Sequence, residues 1–314
     1  MVVDAGSAAY LKPVVLGWLE TPPPFDWSIR FGEMAAPTFA AIAGLEAHRG
    51  ADVAREDSAE DTNADALLVS ANGWPVEHAY VRMGRRKGIP AIQFVDSCYN
   101  YRRRFCADGN WILPDAILLV TERSIEEAVA EGVPKNICRA VGHPSWDAAP
   151  SLPPSEVGGI LFVGAPVERD YGAVLGYTET DAWRMLKNVV AEGFERELCY
   201  APHPEQAMET VPRDSEIVHY DPGALDRFDT LVGMFSAPLV DAYLAGRRSV
   251  SLQPGATETD MFFLSRQGYL PRVTDRDGLT AALAAAPIDS SVFASELRDS
   301  AARLNRVVCE ALAA

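Results

Sequence analysis

The stretch from Asp229 to Gly255, DTLVGMFSAPLVDAYLAGRRSVSLQPG, has the residue types and spacing best suited to chemistry. It reads as a buried strand (Thr230–Phe235), a turn at Ser236, a helix (Ala237–Ala245) stopped by Gly246, and a second strand (Ser249–Leu252). Ser236 is a good N-cap type, and Pro238 is tolerated in a first turn whose N–H groups have no intrahelical partner. The N–H groups of Ala237 and Leu239, with the positive end of the helix dipole, would then form an anion site at the end of a parallel strand. Asp241 follows one turn later in an otherwise apolar helix. An acid beside a phosphate cradle suits ribose or sugar hydroxyls. The pattern points to a nucleotide or nucleotide-sugar ligand.

Other chemically capable residues also stand at strand ends. Gly164 closes the run GGILFVGAP, where a small residue would let a ligand approach the backbone. His203 follows a strand in YAPHPEQ, held extended by Pro202 and Pro204. Asp96 ends a strand and precedes SCYNYRRRF, and Glu77 opens a helix where its charge also suits the N-terminus. The arginines of that run serve equally for binding or for cation–π and ion-pair closure. His143 in VGHPSWD either faces a ligand or packs on Trp146. No HxxxH, HExxH or DxD pair occurs, so no catalytic metal is expected. GxSxG, Walker and well-placed GxGxxG motifs are missing too, which weakens the serine-hydrolase, P-loop and dinucleotide-dehydrogenase readings.

These residues are placed by alternating short β-branched runs and helical stretches. Strands are expected at Val14–Leu19, Ala66–Ser70, Ala91–Val95, Ala116–Val120, Gly159–Val163, Glu197–Tyr200, Leu231–Phe235 and Ser249–Leu252. Helical patterns lie between, including Pro37–His48, Val76–Lys87, Ser124–Glu131, Asp181–Glu192 and Asp277–Ala285. Such alternation implies βαβ units and parallel sheets. Three prolines in AAPSLPPSE interrupt it at Ala148–Glu156. The expectation is therefore an N-terminal α/β domain over 1–147, a Pro-rich linker over 148–156 and a C-terminal α/β domain over 157–314, facing a cleft.

The 314 residues suffice for two such domains, each with its own core. A formal charge of −16 argues against a nucleic-acid backbone or an anionic membrane as main partner. Five scattered cysteines without CxxC spacing argue against a disulfide framework and fit a reducing cytosol. No apolar run reaches membrane-spanning length, so a cytoplasmic protein without membrane insertion is expected. The oligomeric state is left open.

The combination of two α/β domains, the Pro-rich linker, APHPEQ and GMFSAPLVDAYLAG resembles glycosyltransferases of the GT-B fold. GIPAIQFVDSCYNYRRRF, LPDAILLVTE and VGHPSWD are similar to the N-domain of that group. The related UDP-N-acetylglucosamine 2-epimerases share the strand–His–Pro and strand–Ser–helix elements. The likeness covers most of residues 64–272. GWLETPPPFDW stands where GT-B N-domains usually carry a Gly-rich loop, so the first sixty residues match least.

The resemblance implies a metal-independent glycosyltransferase with two Rossmann-like domains, a nucleotide-sugar donor, an acceptor of unknown type and no further cofactor. It implies that Ser236, Ala237 and Leu239 hold the pyrophosphate, that Asp241 (usually Glu in the family) accepts from ribose, and that His203 donates to developing negative charge. Gly164 and Thr257, the latter in the loop QPGATETD, would line the donor site. An attacking hydroxyl must lose its proton as the glycosidic bond forms, which makes Asp96 or Glu77 the candidate base. Two alternatives stand beside this reading: a nucleotide-sugar 2-epimerase or hydrolase on the same fold, and a binding or scaffold protein without catalysis.

Overall fold

The central strands of this chain are largely apolar on both sides, and in the first unit each face finds a different set of helices. The computed structural model describes residues 1–45, 52–53, 59, 62–149, 152–153, 158–204, 206–221, 223–257 and 259–313. The chain forms two units, Met1–Ala148 with Ser295–Ala314, and Ala149–Ala294. Each has its own sheet of wholly parallel strands.

In the first unit β1 (Leu67–Ser70), β2 (Ala91–Phe94), β3 (Ala116–Leu119) and β4 (Cys138–Ala140) lie side by side in chain order. Consecutive parallel strands need crossovers, which α2 (Pro75–Lys87) and α3 (Glu122–Ala130) supply. Leu67, Val69 and Ala91 pack with Val76, Tyr80 and Met83 of α2, and Ile117 and Leu119 pack with Ile125 and Ala128 of α3. Ile92, Phe94 and Leu118 join a different cluster, with Tyr10, Leu11, Val14, Val15, Leu304 and Val308. That second cluster is built by α1 (Ala5–Glu20) and by the last helix, Ser300–Ala313.

Two expectations are corrected here. Val14–Leu19 is not a strand but part of α1. The Asp4 carboxylate caps that helix by accepting from Ser7 N–H at 2.8 Å, and the buried residues Tyr10, Leu11, Val14, Val15 and Trp18 recur at helical spacing. The β-branched pair Val14-Val15 mimics a strand, and Pro13 removes one helical hydrogen bond without ending the helix. The closing helix, placed by chain order in the C-terminal domain, belongs instead to the first unit, where Leu304 and Val308 complete its core. Of the expected linker, Pro150, Ser151, Pro154, Ser155 and Glu156 lie outside the described residues. So do residues 46–48 of the expected helix Pro37–His48, of which Ala36–Ala40 is helical.

The closing helix is seated through Gly142, which follows β4 with φ at +82°. A Cβ there would lie 2.1 Å from Ser300 Oγ and 3.0 Å from Leu297 O. Gly142→Ala is expected to lower unfolding free energy by about 1–3 kcal/mol, from backbone strain plus displacement of the closing helix. Urea titration checks this; an unchanged midpoint would show that the helix shifts freely.

The second unit has six strands, β5 (Gly159–Val163), β6 (Leu198–Ala201), β7 (Glu216–Ile217), β8 (Phe228–Gly233), β9 (Arg248–Leu252) and β10 (Arg272–Val273). Their spatial order is β7-β6-β5-β8-β9-β10. The chain moves outward from β5 to one edge and then returns past it, so the order reverses between β5 and β8. Open α/β sheets bind ligands outside the carboxyl ends of strands at such a switch. Ile160, Phe162, Tyr200, Val232 and Val250 pack on Trp183, Leu186 and Val190 of α4 (Glu179–Gly193), and α5 (Pro238–Leu244) follows β8.

Candidate functional site

In the first unit a continuous polar network lies just beyond the carboxyl ends of β1 and β2. Asp96 follows β2; its Oδ2 accepts from Ser7 Oγ at 3.0 Å and its Oδ1 from Ser97 Oγ at 3.0 Å. Ser7 Oγ in turn accepts from Asn72 Nδ2 at 2.8 Å, and the same amide donates to Asp4 Oδ2 at 2.5 Å. The N-cap of α1 and the strand-end acid thus share one hydrogen-bonded chain. Arg104 joins the network. It donates to Ala71 O at 2.6 Å, to Ser97 Oγ at 2.6 Å, to Tyr99 O at 3.0 Å and to Asn72 Oδ1, and approaches Asp96 Oδ1 at 3.7 Å. Burial, reinforced by the neighbouring Asp96, raises the Asp4 carboxyl above the ordinary range.

Glu77 sits beside this network but faces its own loop. It is wholly buried, and its carboxylate accepts from Ser70 Oγ at 2.6 Å, Asn72 N–H at 2.8 Å and Trp74 N–H at 2.9 Å. These bonds fix the β1–α2 connection and cap α2, satisfying donors that the helix start leaves open. Burial pushes the carboxyl up to about 7 against the pull of those donors.

The basic run divides by burial. Arg104 is interior, whereas Arg102 lies over the Trp111 ring at 5.2 Å. Tyr101 is buried with its hydroxyl on Glu127 at 3.2 Å. His143 is buried too, stacked on Trp146 with centroids 3.7 Å apart and edge-on to Tyr10 at 4.6 Å. Burial lowers its pKa to about 3, so it is a neutral packing ring.

In the second unit Gly164, His203, Ser236 and the loop after β9 all lie beyond the carboxyl ends of the strands. Ser236 does not cap α5. The helix starts at Pro238 with Ala237 as its cap in helical conformation, and Ser236 Oγ donates instead to Gly164 O at 3.4 Å. Leu239 N–H donates to Ser236 O at 3.0 Å and Val240 N–H to Ala237 O at 2.8 Å, so the turn closes on itself. Leu239 is fully buried, while Ala237 is exposed. A tight turn, rather than an open helix end, therefore joins β8 to α5.

Gly164 meets its neighbours more closely than its position alone implies. A Cβ would lie 2.6 Å from Gln206 Oε1 and 2.8 Å from the Tyr200 hydroxyl, so protein atoms already fill the adjacent space. Buried Gln206 bonds Tyr200 and takes His203 N–H at 3.4 Å, while its own N–H donates to His203 O at 2.8 Å. That pair of bonds sets the His203 loop. Thr257 is exposed, with its Oγ1 near Gly176; Glu258 lies outside the described residues. Asp260 staples the same loop, accepting from Gln253 Nε2 at 2.6 Å and Ser265 Oγ at 2.5 Å.

Asp241 is half-buried on α5, and its Oδ2 accepts from the Tyr220 hydroxyl at 2.9 Å. Burial raises its carboxyl despite that bond. Sequence reasoning missed Tyr220, as it missed Asp4, Ser7, Asn72 and Gln206. Only Asp4 carried a signal, an N-cap aspartate before an Ala-rich run, once that run is read as a helix.

Among the described residues, Glu197, Cys199 and Glu216 bring potential metal-ligand atoms within 4.8 Å of one another. Arg227 already occupies their centre, bonding Glu216 at 3.0 Å and Glu197 more closely, so the group is an ion-pair cluster. No described helix is long and apolar enough to cross a membrane.

No family model matches the chain, and no curated protein matches it either. Solved structures do. The UDP-GlcNAc 2-epimerase from Methanocaldococcus jannaschii superposes with a TM-score of 0.67 at 12% identity, covering 98% of each chain. The MnaA–UDP co-structure from S. aureus gives 0.64 at 13% identity, covering 98% of this chain and 93% of that one. The calicheamicin glycosyltransferase gives 0.58 at 12% identity, covering 99% and 97%. The fold is thus the GT-B-like pair of Rossmann-like α/β units, common to 2-epimerases and glycosyltransferases.

Proposed function

We propose that this protein is an enzyme of nucleotide-diphosphate sugars, with the nucleotide taken by the second unit and the proton chemistry carried by the first. The observation that carries this reading is the Asp4–Asn72–Ser7–Asp96 network at the carboxyl ends of β1 and β2. A half-buried carboxylate held by two hydroxyls and faced by an arginine is preorganised as a general base. In glycosyl transfer Asp96 takes the proton of the acceptor hydroxyl as it attacks the sugar's anomeric carbon. Departure of the nucleotide diphosphate is assigned to hydrogen-bond donors of the second unit, with His203 the side chain proposed for it.

One observation favours a second reading, 2-epimerisation or hydrolysis. Transfer needs one base, whereas Asp4 supplies a second carboxyl, joined to Asp96 through Ser7 and raised by burial first and by Asp96 second. Two acids in unequal environments suit proton removal and return at a sugar carbon. Incubation with UDP-N-acetylglucosamine in heavy water separates the readings. Acceptor-dependent UDP release means transfer, acceptor-independent release means hydrolysis, and deuterium in the recovered sugar nucleotide means epimerisation. UDP binding without turnover leaves a binding protein, and no UDP binding rejects the proposal.

The second unit carries its own test. Asp241→Ala is expected to weaken UDP binding by about 1–3 kcal/mol, the scale of a hydrogen bond to a charged group. Calorimetry giving unchanged affinity would remove Asp241 from the ribose site.

A further inference from the structure

A cavity of about 660 Å³ opens in the first unit at the amino ends of β1 and β2, where Leu67, Leu68 and Ile92 line it. Asp96 and its network stand at the other end of those strands. One wall comes from the sequence that departs from the GT-B pattern, GWLETPPPFDW, and the residues just after it. Phe25, Trp27 and Ile29 are half-buried or buried and alternate with exposed Asp26 and Ser28, as in an extended segment with one face inward. Trp18, at the end of α1, meets Phe25 edge-on with centroids 5.7 Å apart and Trp27 at 5.3 Å, so three rings gather on that side. Across from them Leu68 is half-buried, although Leu67 and Val69 beside it in the strand are buried. The cavity, rather than a helix, stands over Leu68.

A space of this size, mostly apolar and aromatic with a few polar groups, has the form of a small-molecule site. Its polar groups decide the class of ligand. Arg30 Nη1 donates to Thr62 Oγ1 and to the Tyr80 hydroxyl, each at 3.3 Å, and all three residues line the cavity. Exposed Asp26 and Asp65 line it as well. Both signs of charge are present, so an ion of either sign meets a like charge and gives up its hydration on entering the ring-lined space. A neutral body loses nothing of that kind, and flat rings pack offset or edge-on against Trp and Phe. We propose that this cavity is a second ligand site of the protein, for an uncharged small molecule with a flat apolar ring system. It shares no residue with the Asp4–Asp96 network, and it stands whatever reaction the chain performs.

The test titrates the neutral fluorophore N-phenyl-1-naphthylamine into the full-length protein, reading the fall in tryptophan emission and the rise in probe emission. Saturable binding of one probe per chain, unaffected by UDP, is expected. Trp27→Ala removes one ring of the wall, and Leu68→Trp grows from the strand into the open space. Each should weaken the probe about tenfold or more, the scale of one aromatic side chain's burial, with melting curves confirming the fold. If one variant fails to fold, the other decides. The sulfonated counterpart, 8-anilino-1-naphthalenesulfonate, has the same rings plus a charge and should bind about tenfold more weakly or worse. No binding, uptake that does not saturate, or displacement by UDP overturns the proposal. Unchanged affinity in the folded variants overturns it too, and equal binding of the sulfonate overturns the assigned ligand class.

Discussion

Asp96→Asn should cut turnover by about 10²–10⁴-fold and leave UDP affinity within a few fold, the range for loss of a general base. Asn keeps the size of the side chain and one acceptor for Ser7 or Ser97, so the network around Arg104 retains its frame. What it loses is the capacity to take a proton. The decisive pair of measurements is UDP binding by calorimetry and turnover on the substrate identified with UDP-sugars. Full turnover would remove Asp96 from the chemistry. Loss of cooperative unfolding would assign it to the frame instead, because Ser7 ties it to the first helix and Arg104 ties together the connections that follow β1 and β2.

Glu77 should contribute about 2–3 kcal/mol more stability at pH 5 than at pH 8, read as the difference in pH dependence between the unsubstituted chain and Glu77→Gln. Burial holds the Glu77 proton to about pH 7 in the folded state, against an ordinary value of 4.5. The folded chain therefore binds more protons between those values than the unfolded chain. Its contribution is fully present below about pH 4.5 and is lost as pH rises through about 7. The gap of about 2.5 at about 1.4 kcal/mol per unit gives about 3.5 kcal/mol across the whole window, of which about 2.5 falls between pH 5 and 8. Asp4 and Asp241, both raised by burial, act in the same direction, whereas burial lowers His143 to about 3 and the Met1 amino group to about 5, and these two oppose it, which is why the Glu77 contribution is read against its own variant. Exposed Glu197 and Asp289 have lowered values and so weigh in only at more acid pH. Urea unfolding of both proteins at pH 5 and pH 8 reads the contribution, which Glu77→Gln should remove while keeping most of the loop's hydrogen bonds. The same pH dependence in the unsubstituted chain and in Glu77→Gln would mean that water reaches the Glu77 carboxylate. Turnover surviving in Glu77→Gln would agree with the loop-fixing contacts seen on Ser70, Asn72 and Trp74.

Local pattern determined much of this protein. Short β-branched runs such as Ala91–Val95 and Gly159–Val163, bounded by turn residues, favour buried strands, and their alternation with helical stretches points to parallel sheets in two units. Strand ends were legible for the same reason, which is why Asp96, Gly164, His203 and Ser236 could be singled out: a strand stops where small or polar residues replace the apolar run. Tertiary structure decided what those residues touch. Val14–Leu19 became a helix because the face of the first sheet bearing Ile92, Phe94 and Leu118 needed an apolar stripe with a period near four, and Asp4 was there to cap it. That choice brought Ser7 to Asp96 across 89 residues of chain. It also drew the closing helix back to the first unit, since Leu304 and Val308 fill the same cluster. In the second unit Ser236 left its capping position for Gly164 O, and Tyr220 reached Asp241 across 21 residues. Periodicity specifies which face of an element is apolar. It carries no information about which distant polar group arrives beside a carboxylate, because that depends on the packing of whole elements and on the desolvation they impose together.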